Sequence, residues 1–127
     1  MSRKKSREIV YRMLYSYSFT GGACADLIDV ACADDTVPTG VELKYIENLF
    51  DLAVKNLDAI DGVIKEKCKD FNRIFKTDLA ALRLGVAEIK HTDTPPMVII
   101  DSVVEIAKKY GNDKSGGFIN GVLACVI

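Results

Sequence analysis

The residues best suited to chemistry stand near the two ends of the chain. Arg3, Lys4, Lys5 and Arg7 crowd the start of a segment with helical periodicity, and Lys114, Phe118 and Asn120 flank the last one. Cations at a helix N-terminus meet the partial positive charge of unpaired N–H groups, so they cost stability unless an anion lies close by. A phosphate backbone is one such anion. Cations that track phosphates beside aromatic faces that stack on bases are what single-stranded nucleic acid requires. Lys4, Arg7 and Tyr11 are spaced to share a helix face, and Phe118 falls outside the apolar stripe of Ile119, Val122, Leu123 and Val126.

Catalytic readings find less support. Gly111-Asn-Asp-Lys-Ser-Gly-Gly117 superficially resembles a phosphate loop or a serine-protease nucleophile segment, but its glycine spacing is wrong and no strand precedes it. His91 is the sole imidazole, so no serine has a choice of base. The pairs Asp34/Asp35 and Asp58/Asp61 are expected to be solvated carboxylates, and His91 is expected to help end a helix. Cys24, Cys32, Cys68 and Cys125 are spaced by 8, 36 and 57 residues, with no C-x-x-C, which argues against zinc. They read as buried thiols in a reducing cytosol. The expectation is a binding protein, not an enzyme, with no cofactor and no metal.

Composition limits what the partner can be. Residues 1–12 carry five cations and one acid, so of a net charge of −1 the remainder holds −5. A basic patch on an otherwise acidic body fits recognition of one segment and not a general coating of nucleic acid. At 127 residues, 49% hydrophobic, the chain is expected to form a single domain over residues 1–127. No apolar run reaches the ~18 residues needed to span a bilayer, which points to a cytoplasmic protein. The Arg- and Ser-rich start also has the look of a transit peptide, but its apolar stripe suits a core-facing helix better.

The elements that position these residues are helical throughout. Ile9, Val10, Met13, Leu14 and Tyr17 make a core stripe in a first helix ended by Gly21-Gly22, with Arg7, Tyr11 and Tyr15 on a second face. A short helix near 24–33 and an acidic loop to Gly40 follow. Helical spacing then runs from about 42 to 68, with a break near Asn56, where Asn56 or Asp58 would cap a new start. Leu79, Leu82, Val86 and Ile89 mark another helix, Pro95-Pro96 opens the next, and Gly111 is expected as its left-handed cap. Close helix approach is the simplest explanation for Gly121. No stretch alternates with period two, so the fold class is all-α.

Several blocks now resemble a known family. Ile100-Asp-Ser-Val-Val-Glu-Ile-Ala-Lys-Lys-Tyr-Gly111 and Ser115-Gly-Gly-Phe-Ile-Asn-Gly-Val-Leu123 are similar to I-N-E-A-V-E-L-A-K-x-F-G and S-x-K-F-V-N-G-V-L of the NusB family, bacterial transcription antitermination factors. Ser6-Arg-Glu-Ile-Val-Tyr-Arg-Met-Leu-Tyr15, Leu57-Asp-Ala-Ile-Asp61 and Leu82-Arg-Leu-Gly-Val-Ala-Glu-Ile89 match its A-R-E-x-A-x-Q-A-L-Y, L-D-x-I-D and L-R-L-G-A-Y-E-L in the same order. The resemblance covers the chain except the acidic insert.

The resemblance implies two packed three-helix bundles that bind boxA-type single-stranded RNA in ribosomal RNA transcription. Its implied heterodimer partner is the ribosomal protein NusE, within the elongation complex. Carried onto this sequence, the RNA surface comprises Arg3, Lys4, Lys5, Arg7, Lys114, Phe118 and Asn120. The partner surface comprises Tyr15 and Asp78, expected to lie exposed together. Gly116-Gly117 replaces the family's His-Lys before the phenylalanine, while Lys114 stands where the family commonly has an acid. Two other classes share the pattern: the RNA-binding domain of ribosomal RNA methyltransferases, whose catalytic domain this chain would lack, and a helical adaptor that never meets RNA.

Overall fold

The computed structural model describes residues 2–33 and 37–127. Met1, Asp34, Asp35 and Thr36 lie outside the described residues, and with them the Asp34/Asp35 pair. Among the described residues there are seven helices, α1 (Arg3–Thr20), α2 (Cys24–Ala31), α3 (Gly40–Lys55), α4 (Leu57–Lys67), α5 (Lys76–His91), α6 (Pro96–Tyr110) and α7 (Ser115–Ala124), plus one 3-10 turn at Phe71–Arg73. No strand occurs among them.

Local chemistry sets most of the boundaries. Ser2 caps α1, its hydroxyl accepting the Lys5 N–H at 3.1 Å, and Gly21 ends the helix at φ 68°, a conformation costly for any residue with a Cβ. Between α3 and α4 the chain breaks at Asn56 as the spacing predicts, but for another reason. The Asn56 amide donates to the Leu52 carbonyl at 2.8 Å and closes α3, leaving α4 without a side-chain cap. Gly111 also departs from expectation. It is not left-handed, at φ −94°, and a Cβ there would collide with the Ser115 hydroxyl and lie 2.8 Å from the Ala107 carbonyl, so glycine serves a tight approach.

α1, α2 and α3 pack as one bundle and α5, α6 and α7 as another, with α4 laid against α5; α1 and α5 join the two. The stripe Ile9, Val10, Met13 and Leu14 is buried as predicted, and meets Ile46 and Leu49 of α3, Leu82 and Leu84 of α5, and Ile99 of α6 in one core. Each fully buried Leu or Ile contributes about 1.5–3 kcal/mol, so this shared interior holds both bundles in register. α5 and α7 come close because Gly85 has no side chain: a Cβ there would sit 2.7 Å from Leu123 Cδ1. Of the four cysteines, Cys32 alone is buried; Cys24 and Cys68 are half-buried and Cys125 is exposed, a correction to their reading as core thiols. No helix among the described residues is long and apolar enough to cross a membrane.

Candidate nucleic-acid interface

The basic start of α1 has its anions within the protein. Arg3 sits 3.9 Å from the Glu42 carboxylate and lies over the Tyr45 ring, Lys4 pairs with Glu105, and Ser6 donates to Glu42 at 2.7 Å. Glutamates of α3 and α6 thus relieve the unfavourable charge at the helix N-terminus. The Lys4 pair is solvent-exposed and worth about 0–1 kcal/mol, so a phosphate could replace Glu105 at little cost, whereas Glu42, the partner of Arg3, is half-buried. Lys5 is half-buried.

Arg7 is a correction. It was expected on the RNA surface, yet its side chain is 3% exposed, and Glu88, which holds it, is fully buried. Nε and Nη2 donate to the two carboxylate oxygens at 2.7 and 2.8 Å, and Nη1 donates to Ser102 Oγ at 3.2 Å. The Tyr45 hydroxyl donates to the same carboxylate at 2.9 Å. Burial alone would lower the Arg7 pKa, but the bonds and charge of Glu88 outweigh it and raise it further. α1, α3, α5 and α6 all contribute to this seam, so Arg7 links the two bundles and cannot reach a phosphate. Tyr11, on the same face, is also buried and donates to the Thr77 carbonyl at 3.1 Å.

The outward side of α7 is where the remaining candidates gather. Phe118 is 37% exposed, neither core nor free, and Asn120 is exposed. Lys114, also exposed, stands one turn before Phe118 at the start of α7, its backbone N–H held by Asn112 Oδ1 at 2.8 Å. The two glycines that replace the family's His-Lys differ in role. Gly116 is buried under Lys108, whose Cε would lie 2.9 Å from an added Cβ, whereas nothing lies within 4 Å of one at Gly117. A groove of about 480 Å³ runs along one side of α7, lined by Asn120 and Gly117 with Lys108 and Glu105 of α6. Because Glu105 is the partner of Lys4, this groove brings the start of α1 to Asn120 and Gly117.

Tyr15 and Asp78 fall on neighbouring grooves that share Phe75. Tyr15, half-buried, packs edge-on against Phe19 with ring centroids 5.0 Å apart, and these two with Phe75, Thr77 and Tyr110 line an aromatic groove of about 360 Å³. Asp78 was expected to be a surface acid; instead it is 6% exposed, because α5 enters the core within its first turn. Its Oδ1 is buried with no hydrogen-bond partner, and the residue belongs to a larger groove of about 620 Å³ on the other side of Phe75. Phe75, 64% exposed between the two grooves, was missed by sequence reasoning, although a phenylalanine just before a helix start with no apolar stripe to join was a usable signal. Glu8 was missed as well. Its Oε2 accepts from Arg12, Lys109 and the Tyr110 hydroxyl at 2.9, 2.9 and 2.7 Å, which fixes Tyr110 at the edge of the aromatic groove.

Known proteins share the fold and the order of the sequence motifs. The NusB family model matches residues 4–127. The transcription antitermination protein NusB of Agathobacter rectalis is 41% identical over 128 residues, spanning 98% of each chain, and that of Clostridium botulinum is 36% identical over 141 residues and the full length of both. Among solved structures, the crystal structure of antitermination factors NusB and NusE in complex with dsRNA superposes with a TM-score of 0.88 at 29% identity, covering 98% of this chain and 94% of that one. With its helix order, its ordered motifs and its full-length relatives all in agreement, the chain belongs to the NusB family.

Proposed function

We propose that this protein is a transcription antitermination factor that binds boxA-type RNA together with NusE in ribosomal RNA transcription, a cytoplasmic role of recognition and not of catalysis. The observation that carries the reading is the outward face of α7. There Phe118 stands a third exposed beside Gly117, which leaves the backbone open, with Asn120 and the Lys4–Glu105 pair across the adjoining groove. An aromatic of this kind stacks on a base, and a cation held by an exposed glutamate, as Lys4 is by Glu105, exchanges it for a phosphate. The NusB and NusE of the solved complex are bound to dsRNA.

The RNA surface in this reading comprises Arg3, Lys4, Lys5, Lys114, Phe118 and Asn120, without Arg7. NusE takes the aromatic groove of Tyr15, Phe19, Phe75 and Tyr110, where rings can fill a partner's apolar contacts. Binding of a boxA-type single strand, a scrambled strand and the duplex, each with and without NusE, tests this. The boxA-type strand should bind best, and NusE should tighten it. The four cations should contribute roughly −2 to −3 to the log–log salt slope, so replacing them together by alanine should remove that contribution. Tyr15→Ala with Phe75→Ala should weaken NusE binding and leave the RNA affinity of the free protein unchanged. Equal binding of scrambled and boxA-type strands would overturn the assignment.

A further inference from the structure

α7 carries Phe118 and Asn120 of the RNA surface but no charge of its own, since neither an acid nor a base occurs from Ser115 to Ala124. A strand stacked on Phe118 and lying along Asn120 must find its cations on neighbouring elements. We propose that Lys108 of α6 is a further RNA-binding residue, which holds a phosphate in the groove beside Asn120 with its stem laid across α7. The inference rests on the RNA-binding reading and adds to that surface a residue from another helix.

Gly116 is the first observation. A glycine inside a helix costs stability relative to alanine, so it needs a reason. A Cβ there would lie 2.9 Å from Lys108 Cε, 3.0 Å from Cγ and 3.6 Å from Cδ, so the lysine stem runs over this one position. With no side chain at 116, Lys108 lies flat on the backbone of α7 and covers Gly116 while remaining an exposed residue itself. A side chain held in this way has already given up part of the rotamer freedom that gripping a phosphate would cost. Gly117, the next residue, leaves the adjoining backbone open, with nothing within 4 Å of an added Cβ.

The second observation is the charge around the groove. Its walls hold two acids, Asp101 and Glu105, and one base, Lys108. Glu105 is taken by Lys4. Asp101 stands two turns before Lys108 on α6, about 10 Å away along the helix axis. The neighbouring Lys109 is held 2.9 Å from Glu8, whereas Lys108 forms no ion pair among the described residues. Lys108 lies one helical turn beyond the Lys4–Glu105 pair, so a strand that draws Lys4 from Glu105 meets this second cation next. A lysine in the last turn of a helix also favours the helix end. Lys109 serves that role as well, and the role does not require a stem laid across another helix.

Variants of the full chain test this with a boxA-type single-stranded dodecamer. Lys108→Met keeps an apolar stem over Gly116 and removes the charge, so the melting temperature should stay near that of the wild type while the log–log salt slope loses ~0.7, one phosphate contact. That difference accumulates over each decade of salt below 1 M, so the Kd should rise about fivefold at ~0.1 M. Lys108→Arg restores a cation and should keep the wild-type slope. Lys55→Met, which removes a last-turn lysine of α3, should leave slope and Kd unchanged. A wild-type slope in Lys108→Met, with or without a fall in melting temperature, would overturn the proposal and leave the α1–α7 surface standing. An equal loss in Lys55→Met would overturn it too, by showing a general effect of net charge. Failure of the wild type to bind the dodecamer would overturn the RNA reading itself, and this inference with it.

Discussion

Replacing Arg7 by alanine separates the two roles open to the first helix. If the guanidinium served RNA, its loss would weaken binding and spare the fold. The structure predicts the reverse. Arg7 and Glu88 are 3% and 0% exposed and share two charge-assisted bonds of 2.7 and 2.8 Å, so Arg7→Ala leaves an uncompensated carboxylate between the bundles. Removing one member of a buried pair costs about 3–5 kcal/mol. With an unfolding entropy of roughly 2.1 cal/mol/K per residue over 127 residues, that corresponds to a fall in Tm of about 10–20 °C. Thermal unfolding by circular dichroism measures this directly. RNA titration well below the transition should give the wild-type salt slope. The double variant Arg7→Met, Glu88→Leu should recover most of the loss, because apolar residues of similar volume need no partner. A Tm within about 3 °C of wild type, together with a slope reduced by the ~0.7 expected for one phosphate contact, would show that Arg7 meets RNA after all.

Phe118→Ala should cost about 1–3 kcal/mol of RNA binding by filter binding or anisotropy. Its effect on Tm should be small, and a large Tm loss with RNA affinity preserved would make the ring a core residue. Glu105→Gln should free Lys4 and tighten RNA binding a few-fold at low salt, with the difference fading as salt rises; weaker binding would mean that Glu105 itself contacts RNA. Burial pushes the Glu8 pKa up, but the hydrogen bonds from Lys109 and Tyr110 win and hold it below the ordinary 4.5. Its contribution to stability is therefore complete above about pH 4.5 and is lost as the pH falls through the lowered folded value. Glu8→Gln should flatten that acid limb of a denaturant-midpoint series, and an unchanged limb would show that the Glu8 contacts are not maintained in solution.

Helix positions were legible because apolar spacing reports directly on burial: α1, the break at Asn56 and the start of α6 at Pro96 stand where the pattern put them. Phe118 was legible for the same reason, as an aromatic off the stripe of its helix. Arg7 was not. A cation three and four residues from other surface-type residues looks exposed, and the acid that buries it lies 81 positions away, where no local pattern can reveal it. Asp78 misled similarly, because an acid in the first turn of a helix ordinarily faces water, whereas α5 passes into the interior from its first turn. The glycines of α7 share one residue type but answer to different surroundings. Gly116 lies under a lysine stem and Gly121 faces open space, a distinction that only the packed helices supply.

The seam that joins α1 to α5 and α6 also dictates when the first helix can settle. Ribosomes add about 5–20 residues per second, so Glu88 is made roughly 4–16 s after Arg7, and Ser102 later still. Through that interval the apolar stripe of α1 has only α2 and α3 to cover it, and its guanidinium has no carboxylate. Final closure must therefore wait for the second bundle, and contacts so distant along the chain are slow to form. A nascent α1 of this composition, basic at one end and apolar along one side, is what a chaperone would have to shield, and a stall in synthesis before α5 would leave it exposed.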